Sequence, residues 1–134
     1  MDGIEIIKYS GEGFRAVMEF ERWKVGIFNS APRWQADQIT YVQKHNKSDE
    51  AFVLLKGHCT LYISTEETPT RLTAFPMEPE LVYNIRKGVW HTHVLEDDTT
   101  VVVVENSDTV PENSPKLPLP HPLCEALTEY RTPE

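Results

Sequence analysis

Residues 43–57 read QKHNKSDEAFVLLKG, and the fold follows from how this stretch is parsed. Gln43 and His45 stand two apart, and on a strand residues two apart face the same way. A polar turn over 46–49 leads to Glu50, and an apolar run then ends at Lys56-Gly57. That run is rich in the residue types strands prefer. Residues 59–64 (CTLYIS) form its return strand. Further on, residues 86–93 (RKGVWHTH) again set two imidazoles, His91 and His93, two apart. If His45 and His91 face inward from neighbouring strands, their rings and the Glu50 carboxylate converge. Two imidazoles and one carboxylate hold a first-row metal on one side and leave its other positions open.

Outward from this centre, strands are expected at 4–7, 14–18, 22–28, 39–45, 50–55, 59–64, 72–75, 81–85, 89–95 and 99–105. Glycine, proline and acidic turns separate them, and no stretch before Ser107 carries a helical period. Many short strands with regular turns predict an all-β sandwich or barrel. The strand at 39–45 would place Ile39, Tyr41, Gln43 and His45 on one face. After Asn106 the composition changes: residues 107–134 hold six of the ten prolines. The expected organisation is a barrel over 1–106 and a Pro-rich tail over 107–134, packed on the barrel or on a second subunit. Within the tail only 124–130 (CEALTEY) has the composition for one or two helical turns. Proline on this scale keeps a segment out of a sheet interior.

Composition narrows the function classes. With 40% hydrophobic residues in 134, the chain folds. A net charge of −8, with thirteen scattered basic residues, excludes a nucleic-acid groove. The longest purely apolar runs are four or five residues, such as Val101–Val104 and Ala51–Leu55, too short to cross a membrane. The first residues, MDGIEIIKYS, lack the pattern of a signal peptide, so a cytoplasmic location is expected. Two cysteines without such a signal do not make a disulfide framework. Cys59, inside a strand run, reads as a small buried hydrophobe. No phosphate-cradling glycine loop, paired-cysteine zinc site or Gly-x-Ser-x-Gly elbow is present.

The two motifs resemble those of the cupin superfamily, in particular its compact single-domain members with the RmlC-like double-stranded β-helix. The first cupin motif has His-x-His, three or four residues, Glu, six residues, then Gly. Gln43-x-His45, Glu50 and Gly57 keep each spacing, with Gln in the place of the first His. The second motif has Pro-x-Gly-x-x-His; Arg86, Gly88 and His91 match it, with Arg in the Pro position. The Asn often found four residues beyond that His is Leu95 here. The resemblance covers roughly residues 39–105. It implies a double-sheet jelly-roll barrel with a cavity for one divalent transition metal, Fe, Mn, Ni or Zn. His45, Glu50 and His91 would be its ligands, with Gln43 as a weak oxygen ligand or a hydrogen-bond partner of bound water.

Around that centre, His93 is either a replacement ligand, a general base titrating near neutrality, or a ring hydrogen-bonded to a carbonyl. Tyr41, Phe52 and Trp34 are candidates to line the cavity, and Arg86 to hold a substrate carboxylate or phosphate. Each also has a structural explanation, core packing for the aromatics and solvation for Arg86. Glu105 closes the valine strand and either faces inward or, as is usual for a strand-end carboxylate, is exposed. His58 and His121 read as surface or interface residues.

Three functions remain open from sequence. The first is a metal-dependent cupin enzyme, an isomerase, lyase or dioxygenase, acting on a small polar molecule. The second is a metal-free cupin that binds a sugar or small carboxylate without turnover. The third is a structural dimer with a vestigial cavity. A homodimer is expected in each case, because barrel edges need protection from open-ended pairing.

Overall fold

The computed structural model describes residues 3–119. Ten strands form two five-stranded antiparallel sheets, the double-sheet jelly roll expected of a cupin. Strands β1 (Gly13–Phe20), β2 (Trp23–Asn29), β4 (Glu50–Lys56), β7 (Tyr83–Ile85) and β9 (Thr100–Asn106) build one sheet, ordered β1-β2-β9-β4-β7. Strands β3 (Tyr41–Gln43), β5 (Cys59–Ser64), β6 (Thr73–Pro76), β8 (Trp90–Leu95) and β10 (Lys116–Pro118) build the other, ordered β10-β3-β8-β5-β6. No helix among the described residues is long and apolar enough to cross a membrane.

Alternation explains which side chains meet. In the first sheet Phe28, Phe52, Leu54, Val101 and Val103 point inward; in the second, Cys59, Leu61 and Leu95 do. Together they form the main core. Phe52 is 1% exposed, a burial that contributes roughly 1.5–3 kcal/mol. Burial pushes the Cys59 thiol up to about 12, as fits a small core hydrophobe rather than a nucleophile. Strand β8 is buried along its whole length. His91, His93 and Leu95 face the main core, while Trp90 and Val94 join Val42, Tyr62 and Leu72 in a second cluster on the opposite face.

Register then sets the site. β4 lies between β9 and β7, with Glu50 opposite both Glu105 and Ile85. β8 lies between β5 and β3, with His91 opposite Gln43. The Gly88 amide donates to the His45 carbonyl at 2.7 Å, which ties the second motif to the first.

Two sequence expectations are corrected. Residues 4–7 form no strand; Ile4 and Ile6 lie exposed, because nothing pairs with them beyond β1. The strand expected over 39–45 is only Tyr41–Gln43. Ile39 follows a 3-10 turn (Ala36–Gln38), so strand parity does not reach it, and it packs with Val42 rather than sharing a face with Gln43. Within the Pro-rich segment, Lys116–Pro118 pairs with β3 as an edge strand, a position proline tolerates. His121 and the helical turns expected over 124–130 lie outside the described residues. Met18, Phe20, Trp23 and Val104 are part-exposed on the outer face of the first sheet.

Candidate metal centre

Glu50 opens β4, His91 is the second residue of β8, and His45 sits just past β3. The two sheets bring them face to face. Glu50 Oε1 lies 3.2 Å from His45 Nε2 and 3.1 Å from His91 Nε2, all three residues being buried. One ligand atom from each lies within 4.8 Å of the other two. Neighbouring donors on a metal with bonds of about 2.0–2.2 Å sit roughly 3.0–3.4 Å apart, so the spacing suits a shared ion.

The outer hydrogen bonds decide which ring atoms face Glu50. His91 Nδ1 donates to the Val89 carbonyl at 3.0 Å. His45 Nδ1 meets Ser114 Oγ at 2.8 Å, and that hydroxyl donates its own hydrogen to Asn113 Oδ1. Each ring therefore donates through Nδ1 and turns Nε2 to the carboxylate, the arrangement that orients metal-binding imidazoles. Glu50 Oε1 itself has no hydrogen-bond partner despite two nitrogens within reach. A buried carboxylate oxygen facing two Nε2 atoms needs positive charge among them, either a proton on a ring or a cation. The donor set fits a divalent transition metal.

Titration behaviour follows from the same contacts. Burial alone would raise the Glu50 carboxyl, but the imidazoles of His45 and His91 hold it well below the usual carboxylate range. Its cross-strand neighbour Glu105 behaves oppositely. Burial, and then the charge of Glu50 beside it, push Glu105 up to about 8. Contrary to the expectation of an exposed strand end, Glu105 is buried and faces inward. Val101, Val103 and Glu105 share one face of β9, so alternation carried this signal.

Above the centre lies a cavity of about 300 Å³. Trp34, Tyr41, Gln43 and His93 line it, together with His45, Glu50 and Glu105. Gln43 Nε2 is 3.4 Å from His45 Nε2, beside the three-residue centre. His93 stands apart from that centre: its ring is caged by Phe28 and Trp34, at centroid distances of 4.8 and 4.6 Å. Burial first, then the charge of His91, push it down to about 4. A base titrating near neutrality is therefore not what this cage provides, and Nδ1 has no hydrogen-bond partner. Phe52 supports His93 from the core, 5.8 Å between centroids, and is not among the lining residues. Arg86 is in another place altogether. It is exposed and borders a separate apolar cavity with Phe75, Tyr83 and Val89. The turn Arg86–Gly88 is anchored by Asp49, which accepts from the Lys87 amide at 2.9 Å.

Sequence reasoning passed over Lys24, Arg33, Thr109, Ser114 and Lys116, which also line the cavity. Three of these belong to the segment after the barrel. Nothing in their local pattern marks them; only the folding of residues 107–119 back along β3 brings them to His45.

A family model described as ureidoglycolate lyase matches residues 8–123, most of the chain. The chain belongs to the ureidoglycolate lyase family. No curated protein matches it. Solved structures with the same fold include a cupin-2 domain containing protein from Shewanella frigidimarina, 17% identical, with a TM-score of 0.52 over 73% of this chain and 84% of that one. A variant of Streptomyces PAC13 with uridine is 8% identical, with a TM-score of 0.59 over 83% of each chain. KdgF from Halomonas sp. is 12% identical, with a TM-score of 0.50 over 69% of this chain and 76% of that one. At these identities the likeness shows the fold: this member of the ureidoglycolate lyase family is a small single-domain cupin.

Proposed function

We propose that the chain is a metal-dependent lyase that cleaves the carbon–nitrogen bond of a small hydroxy acid bearing a ureido group. The observation that carries this reading is the convergence of His45 Nε2, His91 Nε2 and Glu50 Oε1 beneath an open cavity, in a chain of the ureidoglycolate lyase family. His45, Glu50 and His91 would hold iron(II), manganese, nickel or zinc, with Gln43 beside them. Bound there, the ion supplies Lewis acidity to an oxygen of the substrate.

The chemistry of such a substrate is an elimination. The hydroxyl proton leaves, its electron pair closes a carbonyl, the carbon–nitrogen bond breaks, and the departing nitrogen takes a proton. Ureidoglycolate would give glyoxylate and urea. Within the cavity, Gln43 offers an amide to orient polar substrate atoms, and Glu105 offers a carboxyl on the floor. His93 presents a neutral ring in an aromatic cage, suited to packing and orienting substrate. Trp34 and Tyr41 enclose the space and limit water.

The test is urea release from ureidoglycolate by protein reconstituted with each of the four metals. Turnover in at least one is expected, with Glu50→Gln slower by about 100-fold or more, since the charged ligand is lost while its shape is kept. If no metal-loaded form releases urea yet ureidoglycolate still raises the melting temperature, the chain is a non-catalytic binding cupin. The Gln at position 43, where cupin enzymes commonly carry His, is the feature that favours that second reading.

A further inference from the structure

The cavity mouth carries charge that the His–Glu centre does not use. Lys24, Arg33 and Lys116 all line it. Among the described residues none of the three is in an ion pair; the ion-pair contacts are His45–Glu50, His91–Glu50 and Lys56–Asp98. This is notable in a chain of net charge −8, where surplus carboxylates are available to pair with any cation.

Each cation is held instead by a neutral group. The Arg33 guanidinium lies over the Trp34 ring, 4.8 Å from its centroid, and donates to the Tyr41 hydroxyl at 3.4 Å. Lys116 Nζ lies 4.9 Å from the Tyr41 centroid, from the side of the edge strand β10. Lys24 is half-buried on β2 and donates to the Thr109 carbonyl at 3.1 Å. Thr109 Oγ1 lines the same space and is buried with no partner. Tyr41 thus stands between two cations, which aromatic contacts position without neutralising. One guanidinium donor is engaged and the remaining fork is free, the geometry that takes a carboxylate bidentately.

We infer that Arg33 and Lys116, braced on Tyr41 and backed by Lys24, form a carboxylate subsite at the mouth, separate from the His45–Glu50–His91 centre on the floor. The subsite fixes ligand orientation. An anionic end stays at the mouth, and the rest of the ligand reaches toward the floor. It also selects small carboxylates over neutral compounds of the same shape, and attracts them from solution. The inference rests on the cavity lining and stands whether or not the lyase reading does.

The test uses metal-free, chelator-treated protein at fixed ionic strength, so that neither turnover nor a bound ion contributes. Succinate is titrated by calorimetry against its uncharged counterpart succinamide. Saturable succinate binding is expected, with succinamide weaker by about tenfold or more. Arg33→Gln and Lys116→Gln should each weaken succinate by about tenfold. Both residues are exposed, so their melting temperatures without ligand should match the parent. His45→Ala should bind succinate within about twofold of the parent, because it removes only the floor. Failure of succinate to bind, equal binding of succinamide, or parental affinity in both charge variants overturns the inference. So does loss of binding in His45→Ala with retention in the other two, which would place the anion at the centre.

Discussion

His45→Ala, His91→Ala and Glu50→Gln are each expected to abolish stoichiometric metal binding, while the parent holds close to one equivalent after reconstitution. Among the described residues only these three bring metal-ligating atoms together, and Glu50 Oε1 has no hydrogen-bond partner. Losing an outer-shell partner of a metal site already costs about 10–100-fold in affinity. Loss of a direct ligand should therefore exceed roughly 100-fold. Ser114→Ala supplies the graded comparison. It removes the acceptor for His45 Nδ1 and leaves every direct ligand, so a loss of only about 10–100-fold is expected. Elemental analysis gives the stoichiometry, and competitive titration against a chelator gives the affinities. Folding is monitored separately, because His91→Ala also strips a neighbour from a buried carboxylate. Glu50→Gln avoids that difficulty by being neutral and nearly isosteric. In the parent, metal should raise the melting temperature in proportion to the logarithm of its concentration; in the three variants that rise should vanish. Undiminished metal in all three would remove the centre from these residues.

The convergence of His45, Glu50 and His91 was legible because strand geometry converts sequence spacing into position. Gln43, His45 and Glu50 lie around one turn, Gly88 lies on the approach to β8 and His91 within it, so local pattern and inward parity suffice to bring them together. The same parity could have found Glu105, since it follows Val101 and Val103 on the inward face of β9. The general expectation that strand-end carboxylates meet solvent outweighed it. Ser114 and Lys116 were beyond such reasoning. Their place depends on a Pro-rich segment pairing along β3, with the Lys44 amide donating to the Pro115 carbonyl and the Asn46 amide to the Asn113 carbonyl. Those are backbone contacts that no side-chain pattern encodes. Arg86 went astray for a related reason. Its neighbours in sequence belong to the centre, but the turn carrying it directs its side chain to another cavity. The edge strand expected at 4–7 failed because four apolar residues do not make a strand without a partner to complete the ladder.

Gly57 and Gly88 are both motif glycines with positive φ, at 83° and 80°, yet their replacement by alanine should differ sharply in cost. A Cβ on Gly88 would meet nothing within 4 Å, so Gly88→Ala bears only the strain of a left-handed backbone, about 1–2 kcal/mol. A Cβ on Gly57 would come within 2.6 Å of the Asp98 carbonyl oxygen and Thr99 Cα, and closer still to Thr99 Oγ1. Two of those atoms are backbone or bound to it, and Thr99 cannot swing aside. It is 2% exposed, and its hydroxyl accepts from the His58 amide at 2.9 Å and donates to the His58 carbonyl at 3.1 Å. Relieving the clash means parting the turn after β4 from the turn before β9. Gly57→Ala should accordingly lose about 3 kcal/mol or more, strain and overpacking combined. Urea denaturation of the metal-free variants measures both differences, and equal losses would refute the close approach at Gly57. The candidate metal centre lies at the other end of β4, seven residues away along the strand. Its ligands stay in register once the variant is folded. Metal should therefore raise the melting temperature of Gly57→Ala by as much as it raises the parent's, in contrast to the ligand variants, which it cannot help. The glycine of the first motif then specifies the barrel, the His and Glu specify the centre, and the two roles separate in one pair of melting curves.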